Sequence, residues 1–210
     1  MPEIDPTQLP ERDVYKLMSG AIVPRPIAWV STISADGIPN VAPFSFFNAV
    51  CEDPPTLLFT TSIRTADAQP KDTYHNIVAT GEFVVNFVSE ALADAMNITA
   101  VEALPHVNEF ERAGLTAAPS LRVRAPYVAE SPIQFECRLS QIVKVGEGIG
   151  GAYVIFGTIV HMRIDDSVYR ANNYIDMDAY QPLGRLAGPE YARITNRFAL
   201  VRPPSELPGT

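Results

Sequence analysis

From Ile133 to Ser140 the chain alternates without a break: Ile133, Phe135, Cys137 and Leu139 against Gln134, Glu136, Arg138 and Ser140. A period of two sends successive side chains to opposite faces, so this run predicts a strand with one buried and one wet face. The phase slips at Ile142-Val143, where a bulge is expected. The stretch from Gly146 to Gly151 carries four glycines and reads as a flexible turn, after which AYVIFGTIVHMRI returns as the partner strand. No helix follows these glycines to receive a pyrophosphate, so they are a hairpin turn and not a dinucleotide loop. A long hairpin commits the chain to an antiparallel sheet.

The rest of the chain agrees with that sheet. Val14, Leu17 and Met18 sit on one face of a possible short helix around Arg12–Met18. Pro24 and Pro26 then force an extended approach to the β-rich IAWVSTIS. A turn at Ala35-Asp36-Gly37 pairs that run with IPNVAP as a hairpin. An irregular strand from Ser45 to Val50, a Pro54-Pro55 turn and a buried TLLFTT strand come next. Asp72 is the expected cap of a helix that carries Tyr74, Ile77 and Val78 as its apolar stripe and stops at Gly81. FVVNFV has almost no polar face and should be central. Ser89 opens a second helix with Leu92 and Met96 on one side. Asn108 to Glu111 resembles a capping box for a third that ends at Gly114. Short strands, hairpin turns and interspersed helices make the chain mainly β, an antiparallel barrel with helical insertions.

At 210 residues one domain over 1–210 is expected, with its core at about 20–165. Residues 166–210 have little periodicity and form an extension that must pack on the barrel or on a dimer partner. The net charge of −8 argues against a nucleic-acid or anionic-membrane surface, because phosphate backbones demand a basic footprint. It leaves room for one local anion pocket. The polar, proline-broken start is not a signal peptide, and no apolar run reaches the ~18 residues of a membrane span. Two cysteines without pairing context suggest reduced thiols, so the chain reads as cytoplasmic. His75, His106 and His161 form no close pair, which removes a zinc site, and no G-x-S-x-G elbow is present. Cys51 and Cys137 are expected as buried, inert thiols, and Trp29 as core.

Chemistry concentrates between Asn40 and Thr73. Lys71 offers a point charge, Thr73 a hydroxyl, and the first helical turn its unpaired amides, with the Asp72 backbone among them. Arg64 and the hydroxyls of Thr61 and Ser62 could line the same anion pocket. The Lys71–Thr73 stretch on its own reads more readily as a plain surface helix start, and Arg64, Thr61 and Ser62 shift that balance toward an anion pocket. Ala42 to Asn48 sets Phe44, Phe46 and Phe47 among Ser45 and Asn48, which suits either a ring-sized apolar slot with polar edges or a plain buried strand.

Taken in order, the blocks resemble the flavin reductase family with the FMN-binding split-barrel fold. They are PRPIAWVST (Pro24 to Thr32), G-x-P-N-V-A-P-F-S-F-F-N (Gly37 to Asn48), Pro54-Pro55, KDT-x-x-N-I (Lys71 to Ile77), TGEFVVN (Thr80 to Asn86), GTIVHMRID and LGRLAGPEY (Leu183 to Tyr191). The resemblance implies an antiparallel split β-barrel working as a homodimer, with FMN near the subunit interface. It implies a ring lying against Ser45, Phe46, Phe47 and Asn48 with Asn40 close by. Thr61, Ser62 and Arg64 then approach the ribityl-phosphate end, and Lys71, Asp72 (through its backbone) and Thr73 hold the phosphate. Arg185 and Tyr191 match the late block, whereas Leu186-Ala187-Gly188 departs from a frequent glycine pair. The implied activity is hydride transfer from NADH or NADPH to FMN, with no side-chain acid or base, in a reductase that supplies a partner oxygenase. The rivals are a flavoredoxin-like FMN electron carrier with another electron-accepting partner, and a barrel that has lost its cofactor.

Overall fold

The computed structural model describes residues 1–104 and 106–204. Helix α1 (Glu11–Ala21) begins with Glu11 and Asp13 in its first turn, where carboxylates meet the positive end of the helix dipole. Strands β1 (Ala28–Ile33), β2 (Pro39–Phe44), β3 (Phe47–Glu52) and β4 (Pro55–Ser62) follow, then helix α2 (Asp72–Thr80) and strand β5 (Glu82–Phe87). Helices α3 (Ala93–Ile98) and α4 (Glu109–Ala113) precede the short strands β6 (Ala117–Ala118) and β7 (Tyr127–Val128). The long hairpin is β8 (Ile133–Val145) and β9 (Ala152–Ile164). After it come β10 (Tyr169–Arg170), β11 (Tyr174–Ile175), helix α5 (Met177–Tyr180), β12 (Leu183–Arg185) and β13 (Tyr191–Arg193). Among the described residues no helix is long and apolar enough to cross a membrane.

Seven strands make one antiparallel sheet in the order β2-β1-β5-β8-β9-β4-β3, the sheet of a split barrel. Its interior holds Ala28, Val30, Phe44, Leu57, Phe59, Phe83, Val85, Cys137 and Ile155, with Ile77 of α2 among them. Phe44 at the end of β2 meets Phe59 of β4 with ring centroids 5.1 Å apart. The alternate residues of β1 and β2, Trp29 and Val41, point the other way into a second apolar cluster with Met96 of α3 and Phe110 of α4. Strand β1 is apolar on both faces because each covers a core. Trp29 is fully buried, and its indole N–H donates to Thr99 Oγ1 at 2.8 Å.

Several details differ from the sequence reading. The polar face of β8 is wet only in part: Arg138 and Ser140 are exposed, but Gln134 and Glu136 are buried under residues 120–131. Glu136 accepts the amides of Leu121 at 3.0 Å and Arg122 at 2.6 Å, and Gln134 donates to the carbonyls of Val128 and Ser131. A covering segment with unpaired amides needs acceptors beneath it, so polar residues become the inner layer. The β8–β9 register shifts at Glu136/Cys137 and at Leu139/Gln141, upstream of the expected bulge. Asp72 does not cap α2; Lys71 holds the cap position without a side-chain bond. Asn108 does cap α4, accepting from the Phe110 amide at 3.1 Å, while Glu111 takes a bond from the Asn108 side chain. Cys137 is buried as expected, and burial pushes its thiol far up, whereas Cys51 is exposed on β3. On α1, Leu17 and Met18 lie exposed and no core covers them.

Residues 168 to 193 pack on the barrel of the same chain. Arg25 and Arg185 exchange backbone bonds at 2.9 and 2.8 Å, Ser89 bridges to Pro182, and Leu183 and Tyr191 cover the second cluster. Beyond them Phe198, Leu200 and Val201 are exposed.

Candidate functional site

β2 is an edge strand of the sheet, and two clefts meet along it. Asn40 and Ala42 line one; Pro43, Phe44 and Ser45 line the next, and the two abut again at Val101 and Ala100. Asn40, Ala42 and Phe44 share one side of the strand by its period of two, and Phe44 and Ala42 also face the barrel core.

The first cleft takes its charge from α2. Lys71 stands at the cap position, and its ammonium makes no ion pair among the described residues. The amides of Asp72 and Thr73 open the helix and have no partner within it. Arg64 sits beside them, bound to Asp67 at 2.7 Å and 3.6 Å from the Asp72 carboxylate. The bond to Asp67 holds the Arg64 guanidinium above its ordinary range, so its charge is fixed. Beneath lies a buried network. The Thr73 and Thr32 hydroxyls donate to Asn40 Oδ1 at 3.0 and 3.3 Å, and the Asn76 amide donates to the Thr32 hydroxyl at 3.0 Å. These bonds pin the first turn of α2 to β1 and β2, so the direction of its free amides is set by the sheet.

The second cleft mixes aromatic and aliphatic side chains with polar groups at Ser45 and Arg185. Tyr15 of α1, Ile27 and Met96 face Phe44 and Ser45 across it, and Arg185 and Tyr191 close its end. The Arg185 guanidinium lies 4.5 Å from the Tyr191 ring centroid, and Lys71 Nζ lies 5.9 Å from the Phe44 ring, linking the charged end to the aromatic one.

Of the residues expected at the site, Asn40, Arg64, Lys71, Asp72 and Thr73 meet in the first cleft, and Ser45 and Arg185 in the second. Thr73 contributes its amide, since its hydroxyl proton is given to Asn40. Phe46 flanks the second cleft, with its ring 6.3 Å from Tyr15. Phe47 and Asn48 turn to a different, apolar cleft of about 490 Å³ between β3, β8, β9 and α5. Thr61 shares the inward face of β4 with Leu57 and Phe59, fully buried, and Ser62 faces outward; neither lines the groove.

Two residues escaped the sequence reading. Arg25 is 4% exposed, and its guanidinium donates to Ser45 Oγ at 3.3 Å and to the carbonyls of Ser19, Ile22 and Leu186 at 2.5, 2.7 and 2.8 Å. One side chain thus joins α1, the ring-sized cleft and the tail. A charge set between two prolines at the head of an apolar strand was the available signal. Glu109, the first residue of α4, is also 4% exposed and lines the first cleft, with Oε2 unpartnered among the described residues. Burial raises its carboxyl above the usual range. Its place in a capping box disguised it. Among the described residues no cluster of histidines, cysteines and carboxylates could hold a metal.

An unpaired lysine, free amides at a helix start and an adjoining aromatic slot suit a planar group carrying a phosphate. Residues 18–184 match the family described as "Flavin reductase like domain". An uncharacterized protein of Aquifex aeolicus is 47% identical over 86% of this chain and 89% of its own. Nitrilotriacetate monooxygenase component B from Bacillus cereus superposes with a TM-score of 0.90 at 34% identity, covering 95% of this chain and 98% of that one. The 2-nitrobenzoate 2-nitroreductase of Pseudomonas fluorescens does so at 0.86 and 32%, covering 98% and 100%.

Proposed function

The chain belongs to the flavin reductase-like family, and from that premise we propose that it binds FMN along β2 and reduces it at the expense of NADH or NADPH. The observation that carries this is a pair of neighbouring clefts along β2, one with Lys71 and the start of α2 and the other with Phe44 and Tyr191, with Lys71 Nζ 5.9 Å from the Phe44 ring. When bound, FMN supplies the redox chemistry, a ring system that accepts hydride from a stacked nicotinamide. The chain's own part is binding and orientation. Lys71 and the Asp72 and Thr73 amides hold the phosphate, and the Asn40 network keeps them aimed. Phe44, Pro43 and Ser45 take the ring, with Arg185 and Tyr191 at its far end. No side chain acts as acid or base; proximity is the protein's contribution.

The likeness to a monooxygenase component supports an oxygenase as the partner that receives reduced flavin. A nitroreductase of almost equal identity makes the acceptor a separate question. A homodimer is part of the same reading. It is supported by apolar surface with no cover in one copy, at Leu17 and Met18 of α1 and at Phe198, Leu200 and Val201 of the tail.

The deciding measurement is the visible spectrum of purified protein with FMN, taken anaerobically before and after each nicotinamide. Bleaching by NADH or NADPH at catalytic protein is expected. Tight binding without bleaching would instead favour an electron carrier fed by another protein, and no binding would overturn the reading.

A further inference from the structure

The anion end of the groove is oddly charged for its task. Two cations, Lys71 and Arg64, share it with three carboxylates, Asp72, Glu102 and Glu109. With all five ionised the cleft carries one net negative charge, and a phosphate entering it would be repelled. Asp72 is engaged by Arg64, and Glu102 is exposed to water that screens it. Glu109 has no cation bound to it among the described residues and is not wet; hydrogen bonds from Asn40 and the backbone of Val41 only partly offset its burial. It is buried, it leaves Oε2 without a partner, and it stands on the wall that links this cleft to a second one lined by Asp36, Asp72 and His75.

Resting on the flavin reading above, we propose that Glu109 carries a proton whenever an anion occupies the groove, so that phosphate binding is coupled to protonation of this one carboxyl. Three observations support it. A buried carboxylate with one oxygen left without a partner is costly, and the neutral acid is less so. The titratable groups facing it are Lys71 at the cap of α2, Asp72 and His75 from α2, Arg64 from the segment after β4, Glu102 from the segment after α3 and Asp36 from the β1–β2 turn. Three of these six are carboxylates that disfavour a further negative charge, and Asp72 is among the causes that hold the Glu109 carboxyl up. The neutral acid also brings the formal charge of the cleft to zero and offers an O–H that a phosphate oxygen can accept.

Linkage is reciprocal, so an anion that binds better to the protonated form must raise the proton affinity of Glu109. Above the carboxyl's own pKa, FMN affinity should fall by up to about tenfold per pH unit, the limit for one coupled proton. The experiment titrates FMN, riboflavin and inorganic sulfate against the full-length protein and Glu109→Gln across the neutral range. Sulfate keeps a constant charge there and riboflavin has no phosphate. Calorimetry in two buffers of different ionisation enthalpy counts protons taken up.

Falling FMN and sulfate affinity with rising pH, proton uptake on binding, a flat riboflavin profile and loss of the dependence in Glu109→Gln are expected. FMN binding with no proton uptake and the same profile in both proteins overturns the coupling and leaves the flavin site intact. Sulfate binding coupled to a proton, with FMN ignored, keeps the coupling and removes the flavin. No binding of either overturns both. Should Glu109→Gln fail to fold, proton counting on the unaltered protein decides alone.

Discussion

On the proposed flavin reading Lys71 and Arg25 divide the labour of the site, one touching the phosphate and the other holding Ser45 and the segments around it. Lys71→Met removes a charge-assisted bond worth about 1.5–3 kcal/mol. FMN should bind about ten- to a hundredfold more weakly while riboflavin is unaffected, and fluorescence titration reads both. Arg25→Met is different in kind. It strands the carbonyls of Ser19, Ile22 and Leu186 in a largely dry place, so a loss of about 3 kcal/mol in urea unfolding is expected. Lys71 was legible because a lysine beside helix-opening residues is a local pattern. Arg25 was not, since its partners lie up to 161 residues away in sequence. Phe47 and Asn48 are neighbours of Ser45 in sequence, but the chain turns between β2 and β3, so Ser45 lines the cleft beside Arg185 while Phe47 and Asn48 both line the cleft beside α5.

At the scale of elements, the strands were readable and their coverings were not. The alternation of β8 gave its length and pairing, yet Glu136 and Gln134 turned out to support a segment 120–131 that has almost no period of its own. Glu136→Ala should leave the sheet folded and free that segment, seen as loss of amide-exchange protection at Leu121 and Arg122. Strand β9 offers a sharper test. A Cβ on Gly157 would lie 2.3 Å from Phe83 Cζ and 3.2 Å from Cys137 Cβ. Phe83 is a wholly buried ring, so Gly157→Ala should destabilise by about 1–3 kcal/mol through overpacking, measured as a lower urea midpoint. Helix α2 was found from its stripe and its Gly81 stop, although its start was read wrongly at Asp72. That carboxylate prefers Arg64 across the cleft to the helix's own amides.

For the molecule as a whole, Glu109 links the site to stability. A carboxyl raised by burial binds its proton more tightly in the folded state than in the unfolded one. Its contribution is therefore full below the unfolded carboxylate range and is lost as pH rises from there through the raised value. Glu109→Gln should remove that decline, so thermal melts against pH should diverge above the ordinary glutamate range with the variant the more stable. The barrel that carries this site was legible because its strands alternate and its turns hold glycine and proline. The placement of the tail was not, because its backbone bonds at Arg25 and Ser89 leave no mark in the residues, and Leu183 and Tyr191 find their apolar neighbours only through the fold. That last point bears on how such a chain can be remodelled. Arg25 reads a carbonyl at position 186, not a side chain, so the tail could be exchanged there for one from a distant relative, provided its length and path were kept together with Leu183, Gly184, Arg185 and Tyr191, which the barrel and the cleft meet directly. A graft one residue longer or shorter would keep every tail side chain and still unfasten the ring-sized cleft.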